Sequence, residues 1–117
     1  MKSVLIPLLS LRQLDKKFLL EATKDAHLVV FLEVIDPRSG LTPTELTERM
    51  DAVQESLKEA EYELRKRGVR VSFIEEWGNW EDKIKNVFKR EGLDEVVVPR
   101  NLQTVSLTIE GVKITRI

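Results

Sequence analysis

The chain has 117 residues, 42 % of them apolar and 33 % charged, which suits one folded domain over 1–117 and not a disordered segment. Net charge is −1, with no cysteine and a single histidine. These totals exclude a global pull toward nucleic acid or an anionic membrane, disulfides, thiolate catalysis and Cys- or His-rich metal sites.

"SVLIPLL" (3–9) is a nearly continuous apolar run, the pattern of a strand covered on both faces. Ser10 with Gln13 fits a capping box, and Leu11, Leu14, Phe18 and Ala22 follow at helical spacing. "HLVVFLEVID" (27–36) reads as the strongest strand and ends at Asp36-Pro37. The next helix is announced by Thr42 as cap, Pro43 at the first helical position and Glu45 closing the box. Leu46, Met50, Val53, Leu57, Ala60 and Leu64 form its apolar stripe. Glu61 with Arg65 and Glu63 with Arg67 are favourable i, i+4 pairs, and Gly68 ends the helix. "VRVSFI" (69–74) alternates as a third strand. Asn79 caps a helix with Trp80, Ile84, Val87 and Phe88 on one face; Gly92 stops it before the strand "DEVVVP".

The order β-α-β-α-β-α-β predicts an α/β fold, a three-layer open sheet of parallel strands with helices on both faces. The tail breaks that rhythm. About five residues separate Pro99 from the alternating run "VSLTI" (105–109), too few for a parallel crossover of a dozen or more. An antiparallel strand or hairpin with "VKITRI" is therefore expected, or pairing with another chain across an open edge. Val105, Leu107, Ile109, Val112 and Ile114 are the candidate dimerisation residues.

No apolar run reaches the roughly 20 residues that span a bilayer. The apolar start lacks a small-residue cleavage site, so a cytoplasmic protein without membrane partners is expected. The charged fraction, with three Asn and three Gln, leans toward a heat-adapted source.

Four stretches, "SVLIPLLS", "HLVVFLEVID", the charged helix 43–67 with "RKRGVRV", and "EEWGNWEDKIKNVFKREGLDEVVV", together resemble the universal stress protein family over residues 3–101. The resemblance implies the adenine nucleotide alpha hydrolase-like fold, with strands 1–4 in the order 3-2-1-4 and a fifth beyond. It also implies a stress-response role. The ATP-binding members of the family place an acidic residue at the end of the first strand, where this chain has Leu9. They place G-x-x-G after the fourth strand, where this chain has Pro99 and Leu102. Proline supplies no N–H, and leucine cannot bring backbone as close to phosphate as glycine does. The usual phosphate grip is thus expected to be missing.

In sheets of this order ligands sit beyond the carboxyl ends of the strands, where strand order reverses. The polar residues expected there are Ser10, Arg12, Asp36, Arg100 and Asn101, with Arg12 and Arg100 as side-chain anion contacts. The competing reading, and the one favoured, is that both arginines are solvated loop residues. Trp77 and Trp80 either stack a base or partner, or anchor the third helix on the sheet. Glu75 and Glu76 point to opposite faces of a strand and form no carboxylate pair. His27 has no nearby nucleophile, and no serine lies in a G-x-S-x-G setting. "ELRKR" (63–67) reads as helix C-terminal charge rather than a nucleic-acid patch. The expectation is a non-catalytic dimeric adaptor or stress-response protein without metal or cofactor. The alternative is a module that binds a nucleotide such as ATP or AMP by side chains alone.

Overall fold

The structure, a computed structural model, describes residues 2–8, 15–38, 40–100 and 109–117. Strands β1 (Lys2–Pro7), β2 (Ala26–Ile35), β3 (Arg70–Trp77), β4 (Glu95–Val98) and β5 (Ile114–Arg116) form one sheet in the order β3-β2-β1-β4-β5. Every pairing is parallel. Helices α1 (Lys16–Ala22), α2 (Pro43–Lys66) and α3 (Trp80–Arg90) connect the first four strands.

The alternation of side chains across the strands sorts the apolar residues into two cores. Val4, Ile6, Val29 and Phe31 face α1 and α2, where Leu19, Ala22, Val53, Leu57, Ala60 and Leu64 meet them. Leu5, Val30, Leu32, Val34, Val96 and Val98 face α3, where Ile84 and Val87 meet them. Strands β1, β2 and β4 are thus buried on both faces, which is why they read as continuous apolar runs. Among the described residues no helix is long and apolar enough to cross a membrane.

Helix boundaries follow local chemistry. The Thr42 hydroxyl accepts from Glu45 N (3.2 Å), and Thr42 N donates back to Glu45 Oε1 (3.1 Å), the box read from the sequence. At the other end of α2, Gly68 adopts φ +80°. This lets its N–H reach Arg65 O (3.0 Å) and Val69 N–H reach Leu64 O (3.0 Å), a Schellman closure that glycine makes without a Cβ penalty. Of the two charge pairs expected on α2, Glu61–Arg65 forms at 2.8 Å. Glu63 instead lies 3.9 Å from Lys66, because Arg67 turns away to the Thr23 hydroxyl. Among the described residues α1 begins at Lys16 after Asp15; the expected cap at Ser10 and Gln13 lies outside them.

The tail differs from expectation. Among the described residues no antiparallel strand or hairpin pairs with β4, and positions 105–108 of the expected strand lie outside them; β5 runs parallel to β4, with Val96, Val97 and Val98 opposite Ile114, Thr115 and Arg116. The expectation placed the strand at 105–109, too close to Pro99 to cross over. The strand that pairs begins at Ile114, and residues 99–113 exceed the dozen or so a parallel crossover needs. Along that path Ile109 and Val112 join the α3-side core.

Candidate functional site at the carboxyl rim

Because all five strands run the same way, their carboxyl ends share one rim, and strand order reverses between β1 and β4. That gap is where a sheet of this kind offers a crevice. Leu8 continues β1 onto the rim, its N–H on Leu32 O at 2.8 Å. Asp36 lies just past β2 and Arg100 just past β4, so the topology puts these two expected site residues on opposite sides of β1. Ser10, Arg12 and Asn101 lie outside the described residues.

Asp36 is occupied by its own turn. Its carboxylate accepts from Arg38 N (2.9 Å), Arg38 Nε (3.3 Å) and Arg38 Nη2 (3.4 Å). These contacts, the backbone N–H first, hold its pKa below the ordinary value. Arg100 divides into two parts. Its side chain is exposed, while its backbone N–H donates to Ile117 O at 2.8 Å. Pro99 has no N–H to give. The first two positions after β4, where main-chain donors for a phosphate would begin, therefore present none. Ile117 O holds the Arg100 N–H that would be the first main-chain donor there.

Sequence reasoning passed over Glu33, although a charged residue inside "VVFLEVI" was the signal. Register places Leu32 opposite Pro7, hence Glu33 level with Leu8 at the rim. Its side chain is 1 % exposed, and Arg49 Nε from α2 stands 3.3 Å from Oε1 as an ion pair rather than an aligned hydrogen bond. Both carboxylate oxygens are buried without a hydrogen-bond partner among the described residues. Burial raises the Glu33 pKa; Arg49 opposes the rise and Glu75, its neighbour across the β2–β3 ladder, adds to it.

Trp80 packs on the α3-side core as an anchor, whereas Trp77, at the end of β3, is 56 % exposed. His27 sits half-buried at the opposite, amino end of β2, with Nδ1 buried and without a hydrogen-bond partner among the described residues. Glu75 and Glu76 diverge as expected, and Glu76 receives Arg90 Nη2 at 3.2 Å. Of the residues expected to mediate dimerisation, Ile109 is 9 % exposed within its own chain, and Val112 and Ile114 are half-buried on the same core. Val105 and Leu107 lie outside the described residues. Among the described residues no group of three His, Cys, Asp or Glu is placed to hold a metal ion.

No family model matches the sequence, and no curated protein does. Solved structures match by fold. A hypothetical protein whose biochemical function was assigned from its structure superposes on 99 % of this chain and 94 % of its own, with TM-score 0.72 and 20 % identity. A universal stress protein family protein from Arabidopsis thaliana, with AMP bound, covers 100 % of this chain and 91 % of its own at TM-score 0.65 and 18 % identity. A protein of that family from Burkholderia pseudomallei covers 82 % and 79 % at TM-score 0.58 and 22 % identity. At these identities the likeness is one of fold: the chain has the fold of the universal stress proteins.

Proposed function

We propose that the chain is a non-catalytic member of the universal stress protein family that acts as a dimeric adaptor in a stress response. One observation carries this reading. The rim where such a fold would grip a phosphate opens after β4 with a proline and with an amide already bonded to Ile117 O, so neither of these two positions offers a nucleotide a main-chain donor. Self-association through the C-terminal segment, from Val105 to Ile114, belongs to the same reading. It is supported by the position of β5 at the sheet edge, and it would use the outer backbone of that strand, since Ile109 packs inward. Calorimetric titration with ATP and AMP is expected to give no heat of binding, and sedimentation of the native chain to give an assembly of at least two copies whose mass falls when residues 105–117 are removed. A monomer at every concentration would remove the adaptor dimer.

A second reading has its own support: the Arabidopsis neighbour has AMP bound, and Arg100 is exposed at the same rim. Here Ser10, Arg12, Arg100 and Asn101 hold an adenine nucleotide by side chains. A thermal shift with AMP that disappears in Arg100→Ala would favour this reading over the first.

A further inference from the structure

We propose that the free edge of β3 is a self-association surface, and that its occupant is β3 of a second copy, paired antiparallel about a two-fold axis through Phe73. The surface is the sheet edge opposite the C-terminal strands, and it stands or falls apart from the functional reading above. β3 is last in the sheet order and runs eight residues, Arg70–Trp77. Its ladder with β2 continues without a register shift from Arg70 to Trp77. Proline, a bulge or a very short length usually blunts such an edge; β3 has none of these, and its charges, Arg70, Glu75 and Glu76, are of both signs and can be paired across a two-fold axis.

The backbone groups that point outward can be identified. Gly78 N–H donates inward to Ile35 O (3.0 Å), so even-numbered residues turn their backbone to β2. Val71, Phe73, Glu75 and Trp77 therefore turn theirs to solvent. Val71 O agrees, since it accepts from Arg65 Nη2 (3.3 Å), a side chain rather than a strand. Apolar surface accompanies these groups: Phe73 is 38 % and Trp77 56 % exposed.

Charge selects both the occupant and the register. With Phe73 on the axis, Phe73 meets Phe73 of the partner subunit. Arg70 then meets Glu76 of the partner subunit, and the symmetric contact repeats it. Among the described residues Arg70 has no ion pair within its own chain, and Glu76 has Arg90 at 3.2 Å, so each Glu76 would lie between two guanidinium groups. The freed Val71 carbonyl would take the N–H of Glu75 of the partner subunit, and the displaced Arg65 would face that residue's carboxylate. A slip of two residues in the sum of paired positions places Arg70 against Ile74 or Gly78 and loses both ion pairs. The result is an isologous pair in which two five-stranded sheets become one.

The test is mass in solution, by sedimentation or light scattering, on the full chain and three variants whose folding is checked by circular dichroism. Arg70→Glu sets like charges opposite each other and is expected to reduce the assembly mass at least twofold. The exchange Arg70→Glu with Glu76→Arg is expected to restore it. Glu75→Pro removes an outward N–H that the chain's own ladder does not use, and is expected to reduce mass as Arg70→Glu does. A wild-type monomer at all concentrations, or a mass unchanged in both Arg70→Glu and Glu75→Pro, would overturn the proposal.

Discussion

At the scale of single residues, Glu33 sets the sharpest electrostatic problem. Glu33, only 1 % exposed, is pushed toward its protonated form by burial and by the Glu75 carboxylate, against the pull of the Arg49 guanidinium. Its folded pKa lies above the ordinary 4.5. As pH rises through that window the unfolded chain has already lost a proton that the folded chain retains, and stability falls. Glu33→Gln removes the charge and keeps the shape. It is expected to gain about 1 kcal/mol at a pH above the raised folded pKa, where the wild type carries the buried charge, and little in acid. Urea unfolding of both proteins at two pH values checks this, and an equal loss of stability at both would contradict it. Thr42→Ala tests a different residue-scale claim. It removes the hydroxyl that accepts from Glu45 N and is expected to cost about 1 kcal/mol, read as a lower unfolding midpoint with unchanged m-value.

At the scale of elements, β5 is the piece that needs explanation, since three residues seldom hold a sheet edge alone. Its backbone pairs with β4 over Val96–Val98, and a buried carboxylate fixes it from the amino side. Glu95 accepts from Thr115 Oγ1 at 2.7 Å, lies 2.6 Å from Lys2 Nζ and is approached by Lys113 at 3.7 Å. Burial alone would raise the Glu95 pKa; hydrogen bonds from Lys2 and Thr115, with the two lysine charges, outweigh it and the net shift is downward. The sign is therefore opposite to that of Glu33. The contribution is whole above the ordinary carboxyl pKa and is lost as pH falls through the lower folded value. Thr115→Val is expected to cost roughly 2 kcal/mol, the scale of a hydrogen bond to a charged group. It should also speed amide exchange at Val96 and Arg100, whose N–H groups bond to Lys113 O and Ile117 O. Unchanged exchange there would show that β5 is held by something else.

At the scale of the molecule, most of the architecture was legible from periodicity. Runs without polar alternation marked the strands buried on both faces, and Thr42, Asn79, Gly68 and Gly92 marked helix ends through hydrogen bonds that form locally. The tail was not legible, because a three-residue strand carries almost no pattern and its partner lies about 18 residues upstream. The extent of β3 was also understated: the alternating run was bounded at Ile74, and Glu75, Glu76 and Trp77 extend the strand through their ladder with Glu33, Val34 and Ile35. The rim was half legible. Pro99 announced a missing donor from sequence alone, whereas the capture of Arg100 N–H by Ile117 O depends on a contact between distant parts of the chain.

That capture is the physical centre of the account, and it can be observed directly. In a nitrogen-15 NMR titration with ATP and with AMP, the Arg100 amide is expected to stay at its shift and remain slow to exchange, bonded to Ile117 O. A saturable movement of the Arg100 amide on adding either nucleotide, with loss of its bond to Ile117, would mean that the rim still grips phosphate through its main chain.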